Sequence, residues 1–130
     1  MSEHPNAAIA RESYEAFARG DLQTVGQNIT DDVVWHVGGR SPVAGDYKGQ
    51  DEVFGLFGRL FELSEGTLKL DVHDILADDD HAVALVTMSA DRNGKHLDMR
   101  SVHVMNIQEG RTREFWAFDE DQAADDAFWS

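Results

Sequence analysis

The stretch Leu97-Asp98-Met99-Arg100-Ser101-Val102-His103-Val104-Met105-Asn106-Ile107 decides the fold. A β-strand sends every second side chain to one side, so Leu97, Met99, Ser101, His103, Met105 and Ile107 share a face. That face is apolar except for one hydroxyl and one imidazole in its middle. Such a stripe looks into a hydrophobic interior and carries His103 with it. A titratable group inside an apolar concavity marks a candidate site.

Working outward, the turns on either side of this strand allow residue pairings to be derived. Asn93-Gly94 is the preferred pair for a two-residue type I′ hairpin, which sets Arg92 against Lys95 and Ala84 against His103. Glu109-Gly110 makes the next two-residue turn and puts His103 opposite Trp116, Ser101 opposite Phe118 and Met105 opposite Glu114. With Asp78, Asp79 and Asp80 as the preceding loop, Leu70 pairs with Met88, Val72 with Val86 and Asp74 with Ala84. One row across the sheet then reads Asp74, Ala84, His103, Trp116, and the small alanine leaves open space beside the imidazole. The opposite face carries Val83, Leu85, Val102, Val104, Phe115 and Ala117. A sheet covered by helices on one side does not expose a second apolar face without reason, so this outer face is expected to meet a second copy in a homodimer.

Upstream of the four-stranded meander the pattern changes to helical spacing. Pro5 and Asn6 open a helix through residue 19, with Gly20 as its stop, and Asp21 caps a shorter helix to about residue 28. Residues 33–37 read as a strand with Trp35 and Val37 on one face. Residues 38–49 hold four glycines and Pro42 and are expected to form a loop over a cavity, with Tyr47 as its aromatic ring. Residues 50–63 carry Val53, Phe54, Leu56, Phe57, Leu60 and Phe61 at helical spacing. Gly55 and Gly58 inside that helix each cost about 1 kcal/mol relative to alanine, and close backbone packing is the expected reason. Residues 119–130 suggest a short docking helix through Ala123, Ala124, Ala127, Phe128 and Trp129.

Composition bounds the function. The 130 residues fit one domain over residues 1–130. Eleven Lys and Arg against 25 Asp and Glu give a formal charge of −14, which repels phosphate backbones and anionic membrane surfaces. Neither nucleic acid nor membrane is expected as a partner. With no cysteine, the chain has no disulfide, thiolate nucleophile or sulfur-based zinc site. The polar start, residues 1–6, lacks a signal-peptide pattern, and a cytoplasmic protein is expected. No glycine-rich phosphate loop follows a strand, and no pair of histidines shares a face with a suitable acid, so neither cofactor nor metal is expected.

Several local strings now carry a resemblance. Tyr14-Glu15-Ala16-Phe17 with Gly20-Asp21-Leu22, Asp31-Asp32-Val33-Val34-Trp35-His36, Ala44-Gly45-Asp46-Tyr47-Lys48-Gly49, and the hairpin from Val102-His103-Val104 to Glu109-Gly110-Arg111 resemble the nuclear transport factor 2-like (NTF2-like) superfamily. Within it the chain is similar to SnoaL-like proteins, related to ketosteroid isomerase and polyketide cyclases. The resemblance covers nearly the whole chain and implies an α+β cone: a curved mixed or antiparallel sheet wrapped around N-terminal helices, closing a conical pocket. Carried over by position, the isomerase's general-base aspartate falls at Val37, and an aliphatic side chain cannot abstract a proton. Its tyrosine donor falls near Ser13, beside Tyr14, and its protonated aspartate at His103 or Val102, of which only His103 faces inward.

The candidate site follows from these two lines. His103 is the expected proton-transfer group and Asp74 its orienting carboxylate, in the manner of a base and its orienter. Tyr14, Phe17, Trp35, Tyr47, Phe57, Phe61, Met88, Ser101, Met105, Trp116 and Phe118 are the expected contacts of a small hydrophobic or aromatic ligand. Two functions stay open: cofactor-independent acid–base catalysis of the isomerase, cyclase, dehydratase or hydrolase type, and a non-catalytic ligand-binding or dimerisation module in which His103 is a packed core residue.

Overall fold

The computed structural model describes residues 3–130; Met1 and Ser2, the first of the polar start, lie outside them. The chain runs α1 (Pro5–Ala18), α2 (Leu22–Gln27), β1 (Ile29–Val37), β2 (Gly45–Lys48), α3 (Gln50–Leu63), β3 (Lys69–Ala77), β4 (His81–Arg92), β5 (Lys95–Gln108), β6 (Arg111–Asp119) and α4 (Gln122–Trp129). Helix ends fall where local chemistry puts them. Pro5 opens α1, and Gly20, at a φ of 74°, lets the chain turn back so that the Asp21 amide reaches the Ala16 carbonyl. The Asp21 carboxylate then accepts from the Thr24 amide and starts α2. Among the described residues no helix is long and apolar enough to cross a membrane.

The strands form one mixed sheet in the order β2-β1-β6-β5-β4-β3, antiparallel except for the parallel β1 and β6 pair. The tight Asn93-Gly94 turn holds its register over the whole of β4 and β5, with Arg92 against Lys95 and Ala84 against His103. Helices α1 and α3 pack on the face that carries Ala82, Ala84, Val86, Leu97, Met99, His103 and Met105, all of them buried. The architecture is thus the α+β, NTF2-like arrangement expected from the sequence.

Three features depart from the sequence reading. Residues 45–48, expected within a loop, form β2 and pair with the end of β1, so that Tyr47 stands against Trp35. A bulge interrupts β3 between Val72 and Asp74: Leu70 still meets Met88 and Val72 meets Val86, but Ile75 takes the place opposite Ala84 and Asp74 moves to Leu85. A second bulge, between Asn106 and Ile107 on the β5–β6 ladder, shifts β6 by one residue, so that His103 faces Ala117 rather than Trp116. A slip of one residue exchanges the two faces of a strand. Phe115 and Ala117 therefore turn inward, while Trp116 and Phe118 turn outward.

Ala84 and the helix glycines also need correction. Ala84 is fully buried and packs with Ala7 and Ala10 of α1, so the small side chain brings helix and sheet close instead of leaving space. Gly55 and Gly58 are exposed, and a Cβ at either would meet nothing within 4 Å. Close packing does not explain them, and nothing else in the structure does.

Candidate functional site

Between the helices and the concave sheet face lies a cavity of about 140 Å³. That is the size of an apolar hole able to take up one benzene ring. Trp35 of β1, Phe57 of α3, Phe17 of α1, Met88 of β4, and Met105 and Phe115 of the β5–β6 hairpin supply much of its wall. Trp35 and Phe115 stack across the parallel β1–β6 pair at 3.7 Å between ring centroids, and Phe57 stands edge-on to Trp35. The wall is thus largely aromatic, and four of its polar residues form two pairs.

The first pair is Tyr14 and His103. The Tyr14 hydroxyl lies 2.6 Å from His103 Nδ1, joining the middle of α1 to the middle of β5. Burial pushes the Tyr14 hydroxyl far above its ordinary pKa and pushes His103 down to about 4, so both are neutral at pH 7. Among the described residues His103 Nε2 has no hydrogen-bond partner, and it is not sealed off as a fully buried atom would be. Whichever of the two partners donates in the shared hydrogen bond, the pair keeps one donor and one acceptor for a molecule in the cavity.

The second pair was not read from the sequence. Asp119 closes β6, Asp125 lies in α4, and both line the same cavity together with Trp129. Ser101, two residues from His103 on the same face of β5, donates to Asp119 at 2.8 Å. Trp129 Nε1 donates to Asp125 at 2.9 Å, and Asp125 is only 5% exposed. Desolvation, reinforced by the charge of Asp119, raises Asp125 to about 7, against the lowering effect of the Trp129 hydrogen bond. A carboxyl that holds its proton near neutrality faces the cavity here.

The expected site residues divide accordingly. Tyr14, Phe17, Trp35, Phe57, Met88, His103 and Met105 line the cavity. Ser101 is buried just behind it, on Asp119. Phe61 stacks on Phe17 at 5.0 Å outside the lining, and the Tyr47 hydroxyl donates to the Val43 carbonyl at 2.7 Å rather than into the cavity. Asp74 is exposed and accepts from the Ile75 amide, so it does not orient His103; the β3 bulge that turned it outward is the cause. Trp116 and Phe118 lie on the outer face for the same kind of reason, Phe118 with 58% exposure, while Phe115, expected outside, is buried. On that outer face His36 stacks on Trp116 and bonds both Asp46 and Glu114 at 2.7 Å. Burial works to lower the His36 pKa, and the two carboxylate hydrogen bonds outweigh it and hold it above the ordinary value.

Sequence spacing gave no sign of Asp119 and Asp125. Five acidic residues fall between Asp119 and Asp126, a run that reads as a solvated surface. The one local sign is the spacing of Asp125 and Trp129, four apart on a helix, where an indole N–H reaches a carboxylate.

With this geometry in place, the comparisons with known proteins are specific. An uncharacterized protein, Rv0034, of Mycobacterium tuberculosis strain H37Rv is 31% identical over the full length of both chains. The structure of Bal32a, from a soil-derived mobile gene cassette, is similar with a TM-score of 0.94 and 34% identity over 97% of each chain. TerC, co-crystallised with polyporic acid, shares the fold at a TM-score of 0.84 and 17% identity, over 98% of this chain and 100% of its own. A family model described as a SnoaL-like domain matches residues 10–115, and the chain belongs to that SnoaL-like family of the NTF2-like superfamily.

Proposed function

We propose that this protein binds a small, largely apolar molecule, about one ring in size at its buried end, through a carbonyl or hydroxyl placed against Tyr14 and His103. The observation that carries this reading is a neutral, hydrogen-bonded Tyr14–His103 pair set in an otherwise aromatic cavity wall. An apolar ring gains by leaving water, and a polar pair with one donor and one acceptor fixes its orientation. TerC, which shares the fold, was co-crystallised with polyporic acid, and a small organic ligand is the class proposed here.

Where such a ligand reacts, the chemistry is acid–base and is carried by the chain's own side chains. A carbonyl hydrogen-bonded by the neutral pair is polarised, which acidifies the adjacent carbon, as isomerisation or cyclisation requires. His103, with its pKa held near 4, polarises rather than serving as the acid at pH 7. Asp119 and Asp125 are the remaining groups in the wall able to exchange a proton with the ligand.

Ala117, opposite His103 and in the lining, is the position that tests the reading. Phenol and toluene are the probes. Both should perturb the amide resonances of the cavity wall, phenol also those of His103, and Ala117→Leu should abolish both effects while the protein stays folded. Binding unchanged in Ala117→Leu, or perturbations confined to the outer face, overturns the proposal.

The outer sheet face is proposed as a homodimer interface. Val83, Leu85, Val102 and Val104 lie there as expected, and Trp116 and Phe118 join them in place of Phe115. Leu85, Val102 and Phe118 are 38%, 37% and 58% exposed, an apolar patch on a face without helices. Sedimentation at micromolar concentration should show a dimer that Val102→Asp converts to monomer; a monomeric parent chain overturns it.

A further inference from the structure

The proposed ligand cavity is walled in part by α4, and one of the contacts of that helix is an acid pair, Asp125 against Asp119 of β6. We infer that Asp119 and Asp125 share a proton and so latch α4 against β6, with the latch released and the cavity widened as the pH rises. This rests on the reading of the cavity as a ligand site and concerns the regulation of that same site.

The geometry is specific. Asp119 ends β6 and Asp125 lies in α4, with only Glu120, Asp121 and the first turn of the helix between them. Both line the cavity, and Asp125 is 5% exposed. Two carboxylates held together away from water cannot both be ionised at ordinary cost, and one retained proton removes the repulsion and supplies a hydrogen bond. The groups around Asp125 do not offset a second negative charge. Asp126 on α4 adds repulsion, Gln122 and Trp129 offer neutral N–H donors, and Ser101 of β5 gives Asp119 a hydroxyl. Arg100 of β5 is engaged with Glu120, and Asp121 caps the helix through the Ala124 amide.

The other end of α4 is held differently. Lys95 reaches the Ala127 carbonyl and Arg92 the Ser130 carbonyl, cations placed where a helix C-terminus attracts them. Phe128 and Trp129 are buried in the core. An eight-residue helix does not persist by its own hydrogen bonds, so its N-terminal half depends on what it touches. There Ala124 packs against the core, Gln122 reaches the Gly38 carbonyl and lies with Asp126 against Gly39, and Asp125 meets Asp119.

The sign follows from linkage. The closed helix holds a proton that the open one gives up, so opening becomes more favourable as pH rises toward the carboxyl's raised range and levels off above it. Native-state amide hydrogen exchange of residues 124–129, corrected for the intrinsic pH dependence of exchange, reads this directly. Between pH 5 and 8 the opening equilibrium should rise at least tenfold in the parent chain. In Asp125→Asn it should lose that dependence, since the amide keeps the size of the side chain without its ionisation, and in Asp119→Asn it should weaken, since the charge of Asp119 is gone while the burial of Asp125 remains. Opening that is independent of pH in the parent, or equally pH-dependent in both variants, overturns the latch. Toluene binding measured on the same samples separates the two proposals: if toluene does not bind at any pH, the ligand reading fails while the exchange data still decide the latch.

Discussion

Tyr14–His103 and Asp119–Asp125 stand in one cavity wall, yet burial moves the protons of His103 and Asp125 in opposite directions. Burial strips the proton from an imidazole, whose charged form is the protonated one, and keeps it on a carboxyl, whose charged form is the deprotonated one. The same apolar wall thus makes a neutral hydrogen-bonding pair at one place and a reluctant acid at the other. What differs is connection. Tyr14–His103 ties the middle of a long helix to the middle of a central strand, whereas Asp119–Asp125 ties the end of a strand to a short terminal helix. Position in the fold underlies the roles proposed for the two pairs, recognition for the first and closure for the second.

The largest effect that would break this comparison is in stability against pH. His103 has a folded pKa of about 4 against an unfolded value near 6.5, so its contribution is complete above 6.5 and is lost as pH falls through 4. The full loss is about 3 kcal/mol. Asp125, raised to about 7 from an unfolded value of 3.8, contributes stability that is complete below 3.8 and is lost as pH rises through 7. The two slopes oppose each other across one window. Urea unfolding from pH 4 to 8 should therefore show stability falling with pH in His103→Asn and rising with pH in Asp125→Asn. Parallel profiles in the two variants would show that the wall does not separate their protons.

A smaller effect sharpens the first pair alone. Tyr14→Phe removes the hydroxyl and leaves His103 Nδ1 without its partner in an apolar surround, at a cost of about 2 kcal/mol. Urea unfolding at pH 7 measures it, and the imidazole nitrogen resonances should report loss of the hydrogen bond. An unchanged midpoint together with unchanged nitrogen shifts would mean that the hydroxyl and the ring do not meet in solution.

Legibility in the sequence tracked the range of the interaction. The inward facing of His103, the pairing of Ala84 with His103, and the limits of α3 all follow from alternation, one tight turn and helical spacing within a few residues. Asp74 and Trp116 were misplaced by bulges. Aromatic side chains stand on both faces of β6, so alternation reads as well in one register as in the other and carries no mark of the inserted residue. Asp119 and Asp125 lie in a run of acids whose pattern is that of a wet surface, and only the packing of α4 on β5 and β6 takes Asp125 out of water.

From the chain alone came the α+β class, the inward histidine and the apolar stripe around it, because those rest on covalent neighbours and on the period of a strand. Tertiary structure alone decided which carboxylates reach the cavity, which aromatic rings line it, and that Tyr14 meets His103. The reason is physical: a bulge is chosen by how sheet and helices pack as a whole, and a pKa by how much water that packing excludes.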